Sequence, residues 1–93
     1  MEKIKVRQMK NDRGNSIKNQ FEIYTNGKIY FQSYNSIIAL KEYINGIETI
    51  TLDETYWNYS KTTAKYLRQF LGHGIEITRH NIDNCNYQLS NLN

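Results

Sequence analysis

Apolar and polar residues alternate along the first part of the chain with a period of two, which is typical of β-strands. Ile4 and Val6 alternate with lysine and arginine side chains, and Ile17, Phe21 and Ile23 fall on one parity. An Asn-Asp-Arg-Gly-Asn cluster separates the two runs, and such clusters favour turns. We therefore predict two strands joined by a short turn.

Two Asn-Gly pairs, at residues 26–27 and 45–46, predict two tight hairpins. Asn-Gly suits a type I′ turn, because both of its central residues have positive φ. The pairs divide the chain into three further strands, over 28–34, 37–44 and 47–52, and the apolar start of the second suggests a central position. Strands joined by tight turns pair antiparallel, so the five strands should form a meander.

An amphipathic helix is predicted after the strands. It should begin at Ser60, whose hydroxyl can accept a free backbone N–H, and end at Gly72 and Gly74. Its apolar stripe should cover one face of the sheet, since no other large apolar surface is available. The stripe consists of Ala64, Leu67, Phe70 and Leu71.

The end of the chain has the weakest pattern. Residues 75–77 alternate as Ile-Glu-Ile and predict a short final strand, and residues 79–93 are polar and predict an irregular tail. The expected fold is α+β: an antiparallel meander of about five strands with one helix on one face. We expect a single domain over residues 1–93, with a folded core at 1–78.

Length and composition restrict the class of protein. Ninety-three residues make one domain, and no stretch of about 18 apolar residues could cross a membrane. The start of the chain does not resemble a signal peptide, and the single Cys85 cannot form an internal disulfide. We expect a protein of the cytoplasm.

The residue types that carry catalysis are present but poorly arranged. His73 and His80 have Glu76 and Asp83 nearby, but the spacing matches no known set of metal ligands. The chain has no glycine-rich phosphate loop. We therefore expect no enzyme, no metal and no cofactor.

Basic side chains suggest one binding surface. Lys61, Lys65 and Arg68 lie at helical spacing on one face of the predicted helix. The two ends of the chain are basic and its middle is acidic: six basic against two acidic residues in 1–20, and two against five in 21–58. Such a surface can contact phosphates, although a solvated helix face is the more ordinary explanation.

Aromatic side chains suggest a second binding surface. Tyr30 and Tyr34 should lie on the outer face of the third strand, and Tyr56 lies in the segment that leads to the helix. Aromatic side chains on a sheet can stack on bases, anchor a protein interface or simply pack.

Two segments resemble a family of small, mostly uncharacterised proteins from bacteriophages and related mobile elements. Residues 31–39 resemble F-x-S-Y-x-[ST]-x-[IV]-A, and residues 57–71 resemble W-x-Y-S-x-T-T-x-K-[YH]-L-x-x-F-L. The resemblance covers 31–71, and the stretches before 31 and after 74 look individual. It implies a phage accessory protein and supplies no catalytic residues.

These observations favour a non-enzymatic phage protein that binds and inhibits a host defence protein such as a CRISPR effector, in the manner of an anti-CRISPR. One alternative is a small nucleic-acid-binding module that uses the basic helix face with Tyr30 and Tyr34. Another is a sponge for an anionic signalling nucleotide, which requires an oligomer, for example a homodimer, to build a pocket from so small a chain.

Overall fold

The computed structural model describes residues 3–93, which form one six-stranded sheet and two helices. The strands are β1 (Ile4–Lys10), β2 (Ser16–Thr25), β3 (Lys28–Ser33), β4 (Ser36–Ile44), β5 (Ile47–Asp53) and β6 (Tyr87–Ser90), and the helices are α1 (Lys61–Leu71) and α2 (Ile75–Asp83).

The predicted antiparallel meander is confirmed for β1 to β5. These strands lie side by side in chain order, each antiparallel to the next, and β4 is an interior strand as predicted. Asn26 and Gly27 have φ of 54° and 76°, and Asn45 and Gly46 have 54° and 79°. The two Asn-Gly turns therefore have the positive φ values that a type I′ hairpin requires.

The predicted ends of α1 are also confirmed. The backbone N–H of Thr63 donates to Ser60 Oγ at 3.1 Å, and Gly72 lies in the left-handed region with φ of 87°. The Gly72 N–H donates to the Arg68 carbonyl, and Lys41 Nζ donates to the Phe70 carbonyl at 3.1 Å. Both helix ends thus have partners for backbone groups that the helix itself leaves free.

The buried stripe of α1 differs from the predicted one. Ala64 and Leu71 are only half-buried, whereas the polar-tipped Thr63 and Tyr66 are buried. Thr63 can enter the core because its hydroxyl lies 2.9 Å from Ser33 Oγ, so it is hydrogen-bonded there. The observed stripe is Thr63, Tyr66, Leu67 and Phe70.

The predictions for the end of the chain are wrong. Residues 75–77 begin α2 instead of forming a strand, and the expected irregular tail contains the rest of α2 and strand β6. Ile75, Thr78 and Ile82 follow helical spacing, and Thr78 is 2% exposed. β6 pairs parallel to β5, which needs a long crossover, and α1 and α2 supply it.

A break in the alternation of β2 corrects another prediction. Asn19 is left-handed, with φ of 67°, and its carbonyl accepts the Tyr34 N–H at 2.7 Å. Ile17 consequently packs against the core beneath the helices, whereas Phe21 and Ile23 are not part of that core. The three residues do not share one face, as their parity predicted.

A buried carboxylate holds the end of β5 to the last residues of the chain. Asp53 is 1% exposed. Its Oδ2 accepts the N–H groups of Thr55 and Tyr56, and its Oδ1 accepts the Leu92 N–H at 2.8 Å and the Asn93 side-chain amide at 3.0 Å. Burial raises the pKa of Asp53, but these four hydrogen bonds outweigh it and hold the pKa below the ordinary value of 3.8.

Substitution of Ser60 by alanine should lower the free energy of unfolding by about 1 kcal/mol, because the Thr63 N–H loses its acceptor. Ser60→Gly should cost only a few tenths of a kcal/mol. Urea denaturation measures both. Equal stability of Ser60→Ala and the unchanged protein would contradict the capping role.

Substitution of Asp53 by asparagine should lower the free energy of unfolding by about 2–3 kcal/mol at neutral pH, because two N–H donors lose a charged acceptor. Since the folded-state pKa is depressed, the stability from Asp53 is complete above about pH 4 and is lost as the pH falls through the folded value. Denaturation midpoints between neutral and acid pH should therefore fall less steeply in Asp53→Asn. Glu54→Gln, at the exposed neighbour, is the control and should keep the original profile.

Candidate functional site

The two faces of the sheet differ in what covers them. Phe31 of β3 stacks on Phe70 of α1 with ring centroids 5.8 Å apart, and Tyr87 of β6 stacks on His73 between the helices at 5.7 Å. Because side chains alternate along a strand, Tyr30 and Gln32 point away from this helix-covered face. We call the opposite side the open face.

An unbroken row of cross-strand neighbours runs over the open face through all six strands. Each member pairs in register with the next, so the side chains lie next to one another. The first four members are apolar or aromatic and the last two are polar. The row is Val6, Ile23, Tyr30, Leu40, Thr51 and Gln88.

Further apolar side chains flank this row. Phe21 and Ile37 lie beside it on one side, and Ile4 precedes Val6 on β1. The hairpin pair Ile44 and Ile47 has the same parity as Leu40. Leu40 is 7% exposed although it lies outside the core beneath the helices, so its neighbours on the open face shield it.

The exposure of this surface is unusual for isoleucine and valine. Ile4 and Val6, at the β1 end of the apolar row, are 68% and 57% exposed. Ile44 and Ile47 are 48% and 69% exposed, and Glu42 and Thr49 separate them from the row. Single exposed aliphatic residues need no explanation, but contiguous apolar patches on one face indicate an interaction site. The open face is therefore the strongest candidate for a functional surface.

The face is smaller than one side of a standard protein interface. Strands about 4.8 Å apart and about 23 Å long give a six-stranded face on the order of 500 Å². A standard protein interface buries about 800 Å² on each partner. Lys28 and Glu42, whose charged groups are 3.9 Å apart, form a polar pair next to the apolar row.

The predicted basic surface exists but lies on the other side of the molecule. Lys61, Lys65 and Arg68 are all exposed and lie on the side of α1 opposite its buried stripe. Lys65 and Arg68, with Asp12, border an open depression of about 480 Å³. Lys5 and Arg7 share the helix-covered side of the sheet with these residues.

The predicted aromatic residues are not brought together. Tyr30 lies near the centre of the open face, as predicted for the outer face of its strand. Tyr34 belongs to the turn after β3, with φ of 56° and 43% exposure, and not to the strand itself. Tyr56 is half-buried against the core, and its ring lies edge-on to Tyr59 at 5.5 Å. The structure thus separates Tyr30 both from Tyr56 and from the basic face of α1.

The histidines have structural partners. The Tyr87 hydroxyl lies 2.9 Å from His73 Nε2, and burial raises the pKa of Tyr87. The Asn84 side-chain nitrogen lies 2.9 Å from His80 Nε2. Within residues 3–93 no three His, Cys, Asp or Glu side chains are placed to hold a metal ion. None of the helices in this range is long and apolar enough to cross a membrane.

Sequence reasoning missed most of the open face. The parity of Ile4 and Val6 against Lys5 and Arg7 was visible, but it does not tell which side the helices cover. The available signal was the number of apolar strand positions. One short helix stripe cannot cover the apolar residues of both faces, so one face had to stay open.

Comparison with known proteins gives a family and no function. A family model described as "Family of unknown function (DUF8033)" matches residues 4–86. The match includes residues 4–30 and 75–86, so the expectation that the stretches before 31 and after 74 are individual to this chain is wrong for those residues. No curated protein and no solved structure matches the chain.

Replacing both Ile4 and Val6 by threonine should change the free energy of unfolding by less than about 0.5 kcal/mol each, because exposed strand residues contribute little and threonine keeps the β preference. Binding of an apolar dye to the folded protein should fall. The matched change on the helix-covered face, Phe31→Ala at a fully buried residue, should cost about 3–5 kcal/mol. A large loss of stability in the Ile4/Val6 variant would show that these residues are covered within the monomer.

Proposed function

We propose that this chain, which belongs to the family of unknown function DUF8033, is a non-enzymatic binding protein that docks on a host defence protein through the open face of its sheet. The observation that carries the proposal is the cross-strand row through all six strands, which is apolar from Val6 to Leu40 and is covered by neither helix of residues 3–93. The protein would inhibit its partner by occlusion, in the cytoplasm of the host cell.

The composition of the face supports a protein partner over a small molecule. It is broad, continuous and rich in aliphatic side chains, with a tyrosine near its centre. Central aromatic residues surrounded by apolar neighbours contribute most of the energy in many protein interfaces. Small ligands instead bind in concave sites that enclose most of their surface.

The choice of a defence protein rests on the resemblance of the 31–39 and 57–71 segments to phage accessory proteins. A small domain without an assembled catalytic group can still block a larger enzyme by covering a functional surface. A CRISPR effector is the partner that we propose first.

A nucleic-acid-binding role is the second candidate. Lys61, Lys65 and Arg68 are exposed on one side of α1, and Lys5 lies on the same side of the sheet. Such a surface would bind phosphates with an affinity that falls steeply with salt. The location of Tyr30 on the other side of the sheet removes it from this surface, so base stacking would need other residues.

A pull-down from host lysate with Tyr30→Lys, compared with the unchanged protein, tests the proposed function. The substitution puts a charge at the centre of the open face, and loss of a central anchor costs about 2 kcal/mol or more, or about thirtyfold in affinity. The variant should lose the partner and, in an interference assay, should lose protection of phage plating.

Two control variants identify the surface. Tyr43→Lys introduces the same charge on β4 at a 62% exposed tyrosine of the opposite parity, and it should bind normally. Simultaneous reversal of Lys61, Lys65 and Arg68 to glutamate should also bind normally. Loss of the partner only in that triple variant would favour the nucleic-acid role, and retention by Tyr30→Lys would reject docking through the open face.

A further inference from the structure

We propose that β1 is the edge at which the partner adds an extended segment to the sheet, and that acidic and apolar residues alternate in that segment. This inference rests on the proposed function, since it names how and by what chemistry the partner docks beside the open face. The segment would become the next strand of the six-stranded sheet.

β1 is the longer free edge of the sheet. It is the outermost strand on one side, it has seven residues, and all of them except Met9 are exposed. The opposite edge, β6, has only four residues. The outward N–H and C=O groups of an edge strand have no partner in the sheet and can pair with another strand.

The two parities of β1 present different chemistry. Ile4 and Val6 point to the open face, where Val6 begins the cross-strand row. Lys5 and Arg7 point to the helix-covered side. In an added strand that alternates apolar and acidic residues, the apolar side chains would extend the row on the open face. The carboxylates would lie on the helix-covered side, beside Lys5 and Arg7.

The basic side chains of β1, Lys5 and Arg7, have room for an acidic side chain beside them. Lys5 and Arg7 are exposed, and within residues 3–93 neither of them forms an ion pair. On the inner side, Lys5 faces Tyr24 and Arg7 faces Glu22 across the β1–β2 pairing. Within the part of the chain that the structure describes, no strand lies on the outer side of either residue, because β1 is an outermost strand of the sheet.

The same charges select against a second copy of this chain. An antiparallel pair of β1 strands would bring lysine and arginine side chains from the two copies together, and like charges opposite one another destabilise a pair of strands. Lysines on edge strands have this protective effect in many sheets. These charges therefore disfavour pairing of β1 with the β1 strand of a second copy and favour pairing with an acidic strand.

The register limits the length of the added segment. β1 pairs regularly with β2 from Ile4 to Gln8, and the register shifts between Gln8 and Lys10. Beyond this bulge the strand bends and Met9 enters the core. The regular edge covers residues 4–8, so the partner contributes about five paired residues.

Synthetic peptides of seven residues, the length of β1, test the inference on the intact protein. The probe alternates valine and glutamate. One comparison peptide alternates valine and lysine. A second has the same composition as the probe, but its valines are consecutive and its glutamates are consecutive. Titration should show saturable binding of the alternating acidic peptide only, with slowed hydrogen exchange at the outward amides of β1. Binding should weaken as salt is raised.

Charge reversal on β1 provides the variant test. The double variant Lys5→Glu and Arg7→Glu should bind the acidic peptide about tenfold more weakly and should accept the lysine peptide instead. Reversal of Lys61 and Lys65 on α1 changes the net charge equally and should leave peptide binding unchanged.

The outcomes separate this inference from the proposed function. If Tyr30→Lys loses the host partner while the Lys5/Arg7 variant keeps it and no peptide binds, the open face functions without the edge and the inference is wrong. Equal binding of all peptides, or self-association through β1, also overturns it. Retention of the partner by both variants rejects the proposed function as well.

Discussion

The contact of α1 with one face of the sheet is the interaction on which the rest of the structure depends. Phe70 stacks on Phe31, and Thr63 reaches Ser33 through a pair of hydroxyl groups, so the helix is fixed both by apolar packing and by a buried hydrogen bond. Strand alternation then determines the other side. Where the pairing is regular, residues of opposite parity to Phe31 face away from the helices, and the apolar residues among them form the open face. The register shift between β3 and β4 is an exception, since it places Ile38 in the core and Ile37 on the open face.

The path of the chain after α1 explains why both helices lie on the same side. β6 pairs parallel to β5, so the chain has to return to the starting end of β5 before it can pair. α1 and α2 together make this return, and the carboxylate of Asp53 holds the residues that follow β6 through the Leu92 N–H and the Asn93 amide. The crossover uses the only helices within residues 3–93 and leaves none for the open face.

The open face and the β1 edge adjoin, because Val6 of β1 begins the row that crosses the open face. The row from Val6 to Leu40 is apolar, and it ends at an edge strand whose other parity is basic. A partner that docks on the face and adds a strand would use backbone hydrogen bonds for affinity and the alternation of β1 for selectivity. The DUF8033 family model matches residues 4–86, which include β1 and the row from Val6 to Thr51.

The sequence by itself determined the local features of this protein. The Asn-Gly turns, the meander of β1 to β5 and the α1 boundaries at Ser60 and Gly72 each follow from the φ preference or hydrogen-bonding capacity of residues close in the chain. Tertiary structure decided the remainder. Residues 75–77 alternate like a strand yet form a helix, because the parallel pairing of β6 with the distant β5 requires a crossover. Ile17 and Ile23 share a parity yet separate, because Asn19 is left-handed and bonded to Tyr34. Which face stays open was likewise a long-range outcome, since alternation marks two faces and only the docking of the helices chooses between them.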